Sequence, residues 1–89
     1  MKVVKVIDRD NDSLTGYMIF CPGCKCGHLF KIGTWVYNGN YYKPTFTPSL
    51  EVKQRGEMYC HSTVVDGKIT FSADTKHILA GKTVELEDI

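Results

Sequence analysis

Four residues that bind soft metal ions lie within eight positions of this sequence, at Cys21, Cys24, Cys26 and His28. A further cysteine, Cys60, lies far along the chain. A Cys-x-x-Cys turn commonly supplies two of the four tetrahedral ligands of a zinc ion. The proline and glycine inside the turn suit it, because proline stiffens the backbone and glycine tolerates unusual dihedral angles. The spacing therefore predicts a zinc site built from this turn and a distant second half.

The remaining ligands must come from elsewhere in the fold, and Cys60 is the predicted third one. Four residues compete for the fourth position: His28, Cys26, His61 and His77. We favour His28, because it follows Cys24 by four residues and has the inward phase of its predicted strand. Cys26 is too close to Cys24 to bind the same ion easily, and His61 points away from Cys60 on a regular strand. The predicted metal ligands are therefore Cys21, Cys24, His28 and Cys60.

A set of four protein ligands with no open coordination position is typical of a structural site, so the predicted cofactor is structural Zn²⁺. The competing interpretation of the Cys-x-x-Cys pair is a redox-active dithiol. Such a pair usually precedes a long helix in a thioredoxin-like arrangement, and no long helical pattern follows Cys24.

The elements that position these residues are mostly short β-strands. Apolar alternation and β-branched runs predict strands over 3–7, 16–20, 28–32, 34–37, 40–43, 50–53, 58–65, 68–71 and 83–86. Asn38-Gly39 and Asp66-Gly67 each favour a type I′ turn and predict a β-hairpin. The one helical signal is a single turn over 76–81. We therefore predict one domain over residues 1–89, mainly β, folded as a small sandwich or open barrel with a zinc knuckle.

The hairpin around Asp66-Gly67 sets the direction of the side chains near Cys60. Alternate residues of its two strands share a mostly apolar face that should face the core: Cys60, Ser62, Val64, Ile69 and Phe71. His61 then lies on the opposite face. Because the side chain of Cys60 should point to the core and that of His61 away from it, we choose Cys60 as the distant metal ligand.

Composition narrows the class of protein. A chain of 89 residues with 43% hydrophobic residues predicts one folded domain rather than a disordered chain. The net charge of +1 lacks the basic excess of a dedicated nucleic-acid-binding protein, so nucleic acid is a disfavoured partner. No apolar run reaches the roughly 18 residues that span a membrane, so we expect no membrane association and a cytoplasmic location. Cytoplasmic cysteines are usually reduced, which favours metal binding over disulfides.

Several short motifs follow one another in a fixed order along the chain. They are Cys21-Pro22-Gly23-Cys24 with His28, Trp35 with Asn38-Gly39, Pro44-Thr45-Phe46-Thr47-Pro48-Ser49, Cys60-His61-Ser62 with Asp66-Gly67-Lys68-Ile69, and Asp74-Thr75-Lys76-His77 with Leu79-Ala80-Gly81. In this combination the chain resembles a family of small, uncharacterised proteins found mainly in bacteriophages and prophages, which genomes often name "ammonia monooxygenase". The resemblance implies a zinc-binding β domain in the cytoplasm of a host cell, and no known activity.

Polar residues of these motifs, together with an aromatic residue, could line a ligand pocket. The candidate ligand-binding residues are Trp35, Asn38, Thr45, His61, Ser62, Asp74 and His77. A base or ribose would stack on the aromatic ring while the polar groups hydrogen-bond to its edges. The alternative is that the aromatic residues form one sheet's core and the polar residues stabilise turns.

Three classes of function follow from the sequence. We favour a binding or interaction module, stabilised by zinc, that sequesters a small-molecule or nucleotide ligand or inhibits a host defence protein. The second hypothesis is a metal-dependent hydrolase using His61, Asp74 and His77, which requires an open coordination position on the metal. The third is a nucleic-acid-binding zinc ribbon, which the near-neutral charge disfavours. Exposed edge strands also predict a homo-oligomer.

Overall fold

The computed structural model describes all 89 residues, which form β-strands and turns and no helix. The strands are β1 (Val4–Ile7), β2 (Leu14–Cys21), β3 (Cys26–Lys31), β4 (Val36–Tyr37), β5 (Phe46–Gln54), β6 (Glu57–Val65), β7 (Lys68–Phe71) and β8 (Thr83–Glu85). They make two antiparallel sheets, ordered β1-β2-β3 and β4-β5-β6-β7-β8. The predicted small β-sandwich is confirmed, and it is open rather than closed into a barrel. The fold has no helix with the length and apolar character that a membrane crossing requires.

The core contains buried residues from both sheets. Its members are Val3, Ile19, Cys21, Phe30, Phe46, Leu50, Cys60, Val64, Ile69, Phe71 and Leu86. Phe30 of β3 stacks on Phe46 of β5 with ring centroids 4.1 Å apart, so this pair joins the two sheets directly. Burying one such side chain stabilises a fold by roughly 1.5–3 kcal/mol. The stacked pair therefore helps to fix how one sheet lies over the other.

The predicted hairpin around Asp66-Gly67 is confirmed. β6 and β7 pair in the two-residue-turn register, with Val64 opposite Ile69. The inward face is buried as expected, and His61 lies on the other face with a partly exposed side chain. The β6 register thus directs Cys60 and His61 to opposite sides of one sheet.

The hairpin predicted around Asn38-Gly39 is wrong. β4 pairs instead with the first two residues of β5. The side chain of Asn38 closes its own loop, accepting hydrogen bonds from the backbone N–H groups of Asn40 and Thr45 and donating one to the Lys43 carbonyl. This local hydrogen bonding competes successfully with strand pairing. As a result β4 is very short, and most of β5 has no strand on its outer side.

Candidate metal centre and Ser-His-Asp group

Three cysteines and one histidine from separate segments come together in the structure. The ligand atoms of Cys21, Cys24, Cys60 and His77 all lie within 4.8 Å of one another. All four cysteines of the chain are free thiols rather than disulfides. Sulfur and nitrogen atoms this close can surround one ion at the roughly 2.0–2.3 Å bond lengths typical of zinc. The cluster could therefore hold a metal ion.

The turn between β2 and β3 delivers the first two sulfur atoms. Its backbone closes through the N–H of Lys25, which donates to the carbonyl of Cys21 at 2.8 Å. The N–H of Cys24 donates to the Cys21 sulfur at 3.4 Å, a contact that stabilises negative charge on that atom. Cys60 approaches from the inner face of β6 and is fully buried. The three cysteines predicted as metal ligands are thus placed together.

The fourth member of the cluster is His77, whereas spacing favoured His28. The segment after β7 folds back onto β6, and the N–H of Lys76 donates to the Tyr59 carbonyl at 2.7 Å. This return brings His77 beside the neighbouring Cys60. The buried Nε2 atom of His77 has no hydrogen-bond partner in the protein, which fits an atom that meets a bound ion.

Gly23 makes room for the histidine ring. A β-carbon at this position would overlap Cε1 and Nε2 of His77, so no larger residue fits without moving the ring. The N–H of Leu79 lies 3.2 Å from Nδ1 of His77 and fixes the ring from its other side. The Cys-Pro-Gly-Cys motif therefore has a packing requirement for glycine that its sequence alone did not reveal.

His28 lies beside the cluster rather than in it. The β2–β3 ladder pairs it with Ile19, and its side chain is buried, with 6% of its surface exposed. Cys26, the other rival for the fourth position, is exposed at the start of β3 and outside the cluster. The prediction that His28 points inward was correct. However, residues 72–77 fold back onto β6, which places the imidazole of His77, and not that of His28, within the cluster.

Electrostatics in the cluster concentrates negative charge on one sulfur. A hydrogen bond from Cys60 lowers the pKa of the Cys21 thiol far below its usual range, against the effect of burial and with help from His28. The same bond and burial raise the pKa of Cys60. Burial and the neighbouring Cys21 raise the pKa of Cys24 to about 12. A cation would displace the protons of the two remaining thiols, so its binding should release protons.

On the opposite face of the same sheet, a serine, a histidine and an aspartate form a chain of contacts. The Ser49 hydroxyl lies 3.2 Å from Nε2 of His61. Nδ1 of His61 lies 3.3 Å from one carboxylate oxygen of Asp74. An ionised carboxylate only accepts, so in the neutral ring whose Nδ1–H faces Asp74, Nε2 is free to accept the serine hydroxyl. This is the order of contacts in a Ser-His-Asp triad.

Three neighbouring elements hold this group. Ser49 lies on β5 and His61 on β6, and Glu51, two residues after the serine, lies directly opposite His61. Asp74 follows β7 in a tight turn that is anchored on His61 itself. The buried Thr75 hydroxyl accepts the N–H of His61 and donates to its carbonyl, both at 3.0 Å. Thr75 therefore sets the position of the histidine backbone relative to the aspartate.

The two sites share the same two segments. Cys60 and His61 are adjacent on β6, and Asp74 precedes His77 by three residues. Alternation along β6 directs Cys60 inward and His61 outward. The turn after β7 likewise places His77 on the inner face and Asp74 on the outer face. The backbone segments that hold the metal cluster therefore also hold His61 and Asp74.

The other candidate ligand-binding residues do not gather in one pocket. Asn38 and Thr45 stabilise backbone, since the Thr45 hydroxyl accepts the N–H of Asp66 at 2.9 Å. Ser62 is buried on the inner face with an unpartnered hydroxyl. Trp35 lines a separate cavity of about 310 Å³ among core aromatic residues. Of the seven candidates, only His61 and Asp74 come together around Ser49.

Ser49 is the member of this group to which sequence reasoning assigned no catalytic role. It lies in the Pro44–Ser49 motif, and the phase of a regular strand gave no reason to place it near His61. The register of β5 against β6 shifts between Phe46 and Leu50, and this irregular segment contains Ser49. The available signal was the motif itself, in which the serine directly follows a proline, a residue that cannot donate to a strand ladder.

One of three comparisons with known proteins found a match. Residues 1–72 match the model of a family described as "bacterial ubiquitination-like system serine protease (BubE)". The matched segment contains Ser49 and His61 and ends two residues before Asp74. Comparisons with curated proteins and with solved structures returned no match. The match supports a small bacterial family, but neither a phage origin nor the name "ammonia monooxygenase". The chain belongs to the BubE family of bacterial ubiquitination-like system serine proteases.

Proposed function

We propose that this protein is a serine protease in which Ser49 is the nucleophile, His61 the general base and Asp74 the residue that orients the base. The observation that carries the proposal is the continuous contact from the Ser49 hydroxyl through the two ring nitrogens of His61 to the Asp74 carboxylate. The family description supports it, because it names a serine protease of a bacterial ubiquitination-like system. The substrate would accordingly be an amide bond in a protein of such a system.

The reaction would follow from the proton positions. The Ser49 oxygen attacks the carbonyl carbon of the scissile amide while its proton passes to Nε2 of His61. The carbon–nitrogen bond then breaks, and the leaving amine takes that proton. Water attacks the resulting ester, giving one proton to His61, and the released serine oxygen recovers it. Asp74 stays ionised throughout and stabilises the positively charged ring.

The metal cluster has a structural role in this proposal, and zinc is the ion that its donors suit best. Three sulfur atoms and one imidazole nitrogen form a closed Cys₃His set, which is typical of structural zinc sites. The cluster includes neither His61 nor Asp74, so those two residues and His77 do not surround one ion. This placement favours serine chemistry over the metal-dependent hydrolase considered from the sequence.

A fluorophosphonate probe tests the proposal directly, because it reacts with serines that a neighbouring base activates. We expect the intact protein to be labelled at Ser49 and nowhere else, as read by peptide mass spectrometry. His61→Ala should reduce the labelling rate by at least about 10³-fold, since the base is removed. Ser62→Ala, which removes a buried hydroxyl on the opposite face, is the matched control and should label normally. Absence of labelling in the zinc-loaded wild-type protein would contradict the proposal.

A further inference from the structure

The outer edge of β5 is open along the segment that contains Ser49. β4 pairs only with Phe46 and Thr47 at the start of β5, and no strand lies beyond them on that side. Residues 49–54 therefore present an unpaired strand edge. An open edge is a template for another extended chain, because its backbone N–H and C=O groups lack partners.

The hydrogen bonds of β6 show which backbone groups point to this edge. The N–H of His61 donates to Thr75, and its carbonyl accepts the N–H of Ser72, so both groups point away from β5. Glu51 lies directly opposite His61. In an antiparallel ladder, two facing residues either hydrogen-bond to each other or both direct their backbone groups away from each other. Glu51 and His61 form a pair of the second kind. The N–H and C=O of Glu51 therefore point outward, to the open edge.

The start of the strand gives the same alternation. The N–H of Asn38 donates to the carbonyl of Thr45, so this residue also directs its backbone to the outer side of β5. Thr47, which pairs with Val36 of β4, has the same parity as Thr45, and the register shift between Phe46 and Leu50 ends this count before Ser49. The outer side of β5 therefore carries outward-pointing backbone groups beside β4 and also, from the pairing with His61, at Glu51.

We propose that the substrate docks as an extended peptide strand on the outer edge of β5, pairing with the backbone of Glu51 beside the Ser49 nucleophile. This inference rests on the proposed protease function and names its mode of substrate binding. Neighbouring strands in a sheet lie about 4.7–4.9 Å apart, so a strand added here brings a peptide carbonyl close to the serine side chain. Strand addition of this kind obtains affinity from main-chain hydrogen bonds, whereas contacts to alternate side chains give specificity.

The occupant is an unfolded or extended segment of a protein substrate rather than a second copy of this chain. A second copy paired along residues 49–54 would cover Ser49 in both protomers. The side chains of Ser49 and His61 are both only partly buried, so the reacting atoms stay reachable from this edge. Strand addition therefore predicts that an unrelated unfolded chain also docks here, because its main-chain hydrogen bonds do not depend on sequence.

Proline substitution tests the edge while preserving the β5–β6 ladder. Glu51→Pro removes an N–H that points outward and places the bulk of the ring in the path of an incoming strand. Glu85→Pro is the matched control on the far edge of the same sheet. In β8 the N–H of Leu86 donates to the carbonyl of Gly67 and so points toward β7. Successive residues of a strand direct their N–H groups to opposite sides, so the N–H of Glu85 points outward, away from Ser49.

Two probes separate the edge from the triad. Fluorescein-labelled, unfolded casein reports peptide cleavage, and 4-nitrophenyl acetate, which is too small to pair with a strand, reports the reactivity of Ser49. We expect Glu51→Pro to lower the ratio of casein cleavage to ester hydrolysis by about tenfold or more, since lost and blocked hydrogen bonds each weaken docking. Glu85→Pro should leave that ratio within about twofold of wild type.

A second measurement does not depend on how well the proline variant folds. In Ser49→Ala protein, amide hydrogen exchange at Glu51 should be fast and should slow by about tenfold or more on saturation with unfolded casein, as a new backbone hydrogen bond forms. An unchanged exchange rate at Glu51, or an unchanged cleavage ratio in Glu51→Pro, overturns strand docking. So does a wild-type protein that hydrolyses the ester but not casein. A wild-type protein that hydrolyses neither probe overturns the proposed function itself.

Discussion

At the residue scale, the proposed activation of Ser49 depends on the orientation of one imidazole. The Asp74 carboxylate holds the ring proton on Nδ1 and leaves Nε2 free to accept from the serine, at distances of 3.3 and 3.2 Å. Such contacts are often longer in a free enzyme than in its substrate complex. The aspartate touches no reacting atom, so its contribution is the position and the protonation pattern of the base.

Asp74→Asn tests that contribution. The amide can present an N–H to Nδ1 and favour the wrong ring tautomer, so we expect kcat for ester hydrolysis to fall by roughly 10³–10⁴-fold with little change in fold. Steady-state kinetics with 4-nitrophenyl acetate measures the loss. Asp66→Asn, an exposed turn residue, is the control and should behave like wild type. A loss smaller than about tenfold in Asp74→Asn would show that the base is oriented by another group.

At the element scale, two short turns determine which residues meet. The Cys-x-x-Cys turn and the Asp66-Gly67 hairpin are local, so spacing and phase were enough to predict that Cys21, Cys24 and Cys60 approach one another. The turn after β7 is held by long-range hydrogen bonds to β6, including the Thr75 contacts with His61. Sequence patterns carry little information about a segment that folds back through long-range hydrogen bonds. For this reason His77 was not preferred as the fourth metal ligand.

The same distinction explains the other differences between sequence and structure. Strand phase depends on neighbours along the chain, so the buried face of β6 and β7 was predictable. The Asn-Gly signal at Asn38 was overridden by side-chain hydrogen bonds within its loop. Ser49 received no catalytic role because its closeness to His61 depends on how β5 pairs with β6, whose register shifts between Phe46 and Leu50. The missing information is a tertiary contact for His77 and Ser49, and a local hydrogen-bonding pattern for Asn38.

Gly23→Ala tests whether the turn between β2 and β3 and the turn after β7 depend on each other. An added methyl group would overlap the His77 ring, so the ring must move away from the cysteines. We expect zinc affinity to fall by roughly 10–100-fold, as measured by competition with a chromogenic chelator. Gly33→Ala is the control, since its added methyl meets nothing within 4 Å although its positive φ makes alanine strained there. It should lower stability without changing zinc affinity. Equal zinc affinity in Gly23→Ala and wild type would show that His77 is not a ligand.

At the scale of the whole molecule, the cluster connects the two sheets of a thin sandwich. Cys21 ends β2 in one sheet, and Cys60 lies on β6 in the other. A domain of 89 residues has a small core and typically needs an additional constraint such as a metal. Because residues 60–61 and 74–77 carry both sites, loss of the ion should loosen the triad as well as the fold.

Removal of the metal tests this linkage in the complete protein. We expect a strong chelator to lower the melting temperature by at least about 10 °C, which for a domain of this size corresponds to a loss of roughly 2 kcal/mol or more. Fluorophosphonate labelling of Ser49 should decline in parallel, and added zinc should restore both. Cys26→Ser, which changes the one cysteine outside the cluster, should respond to the chelator as wild type does. An unchanged melting curve would contradict a structural metal. If the chelator lowers the melting temperature but labelling at temperatures below the transition is undiminished, the triad is held by the β5–β6 ladder and Thr75 alone.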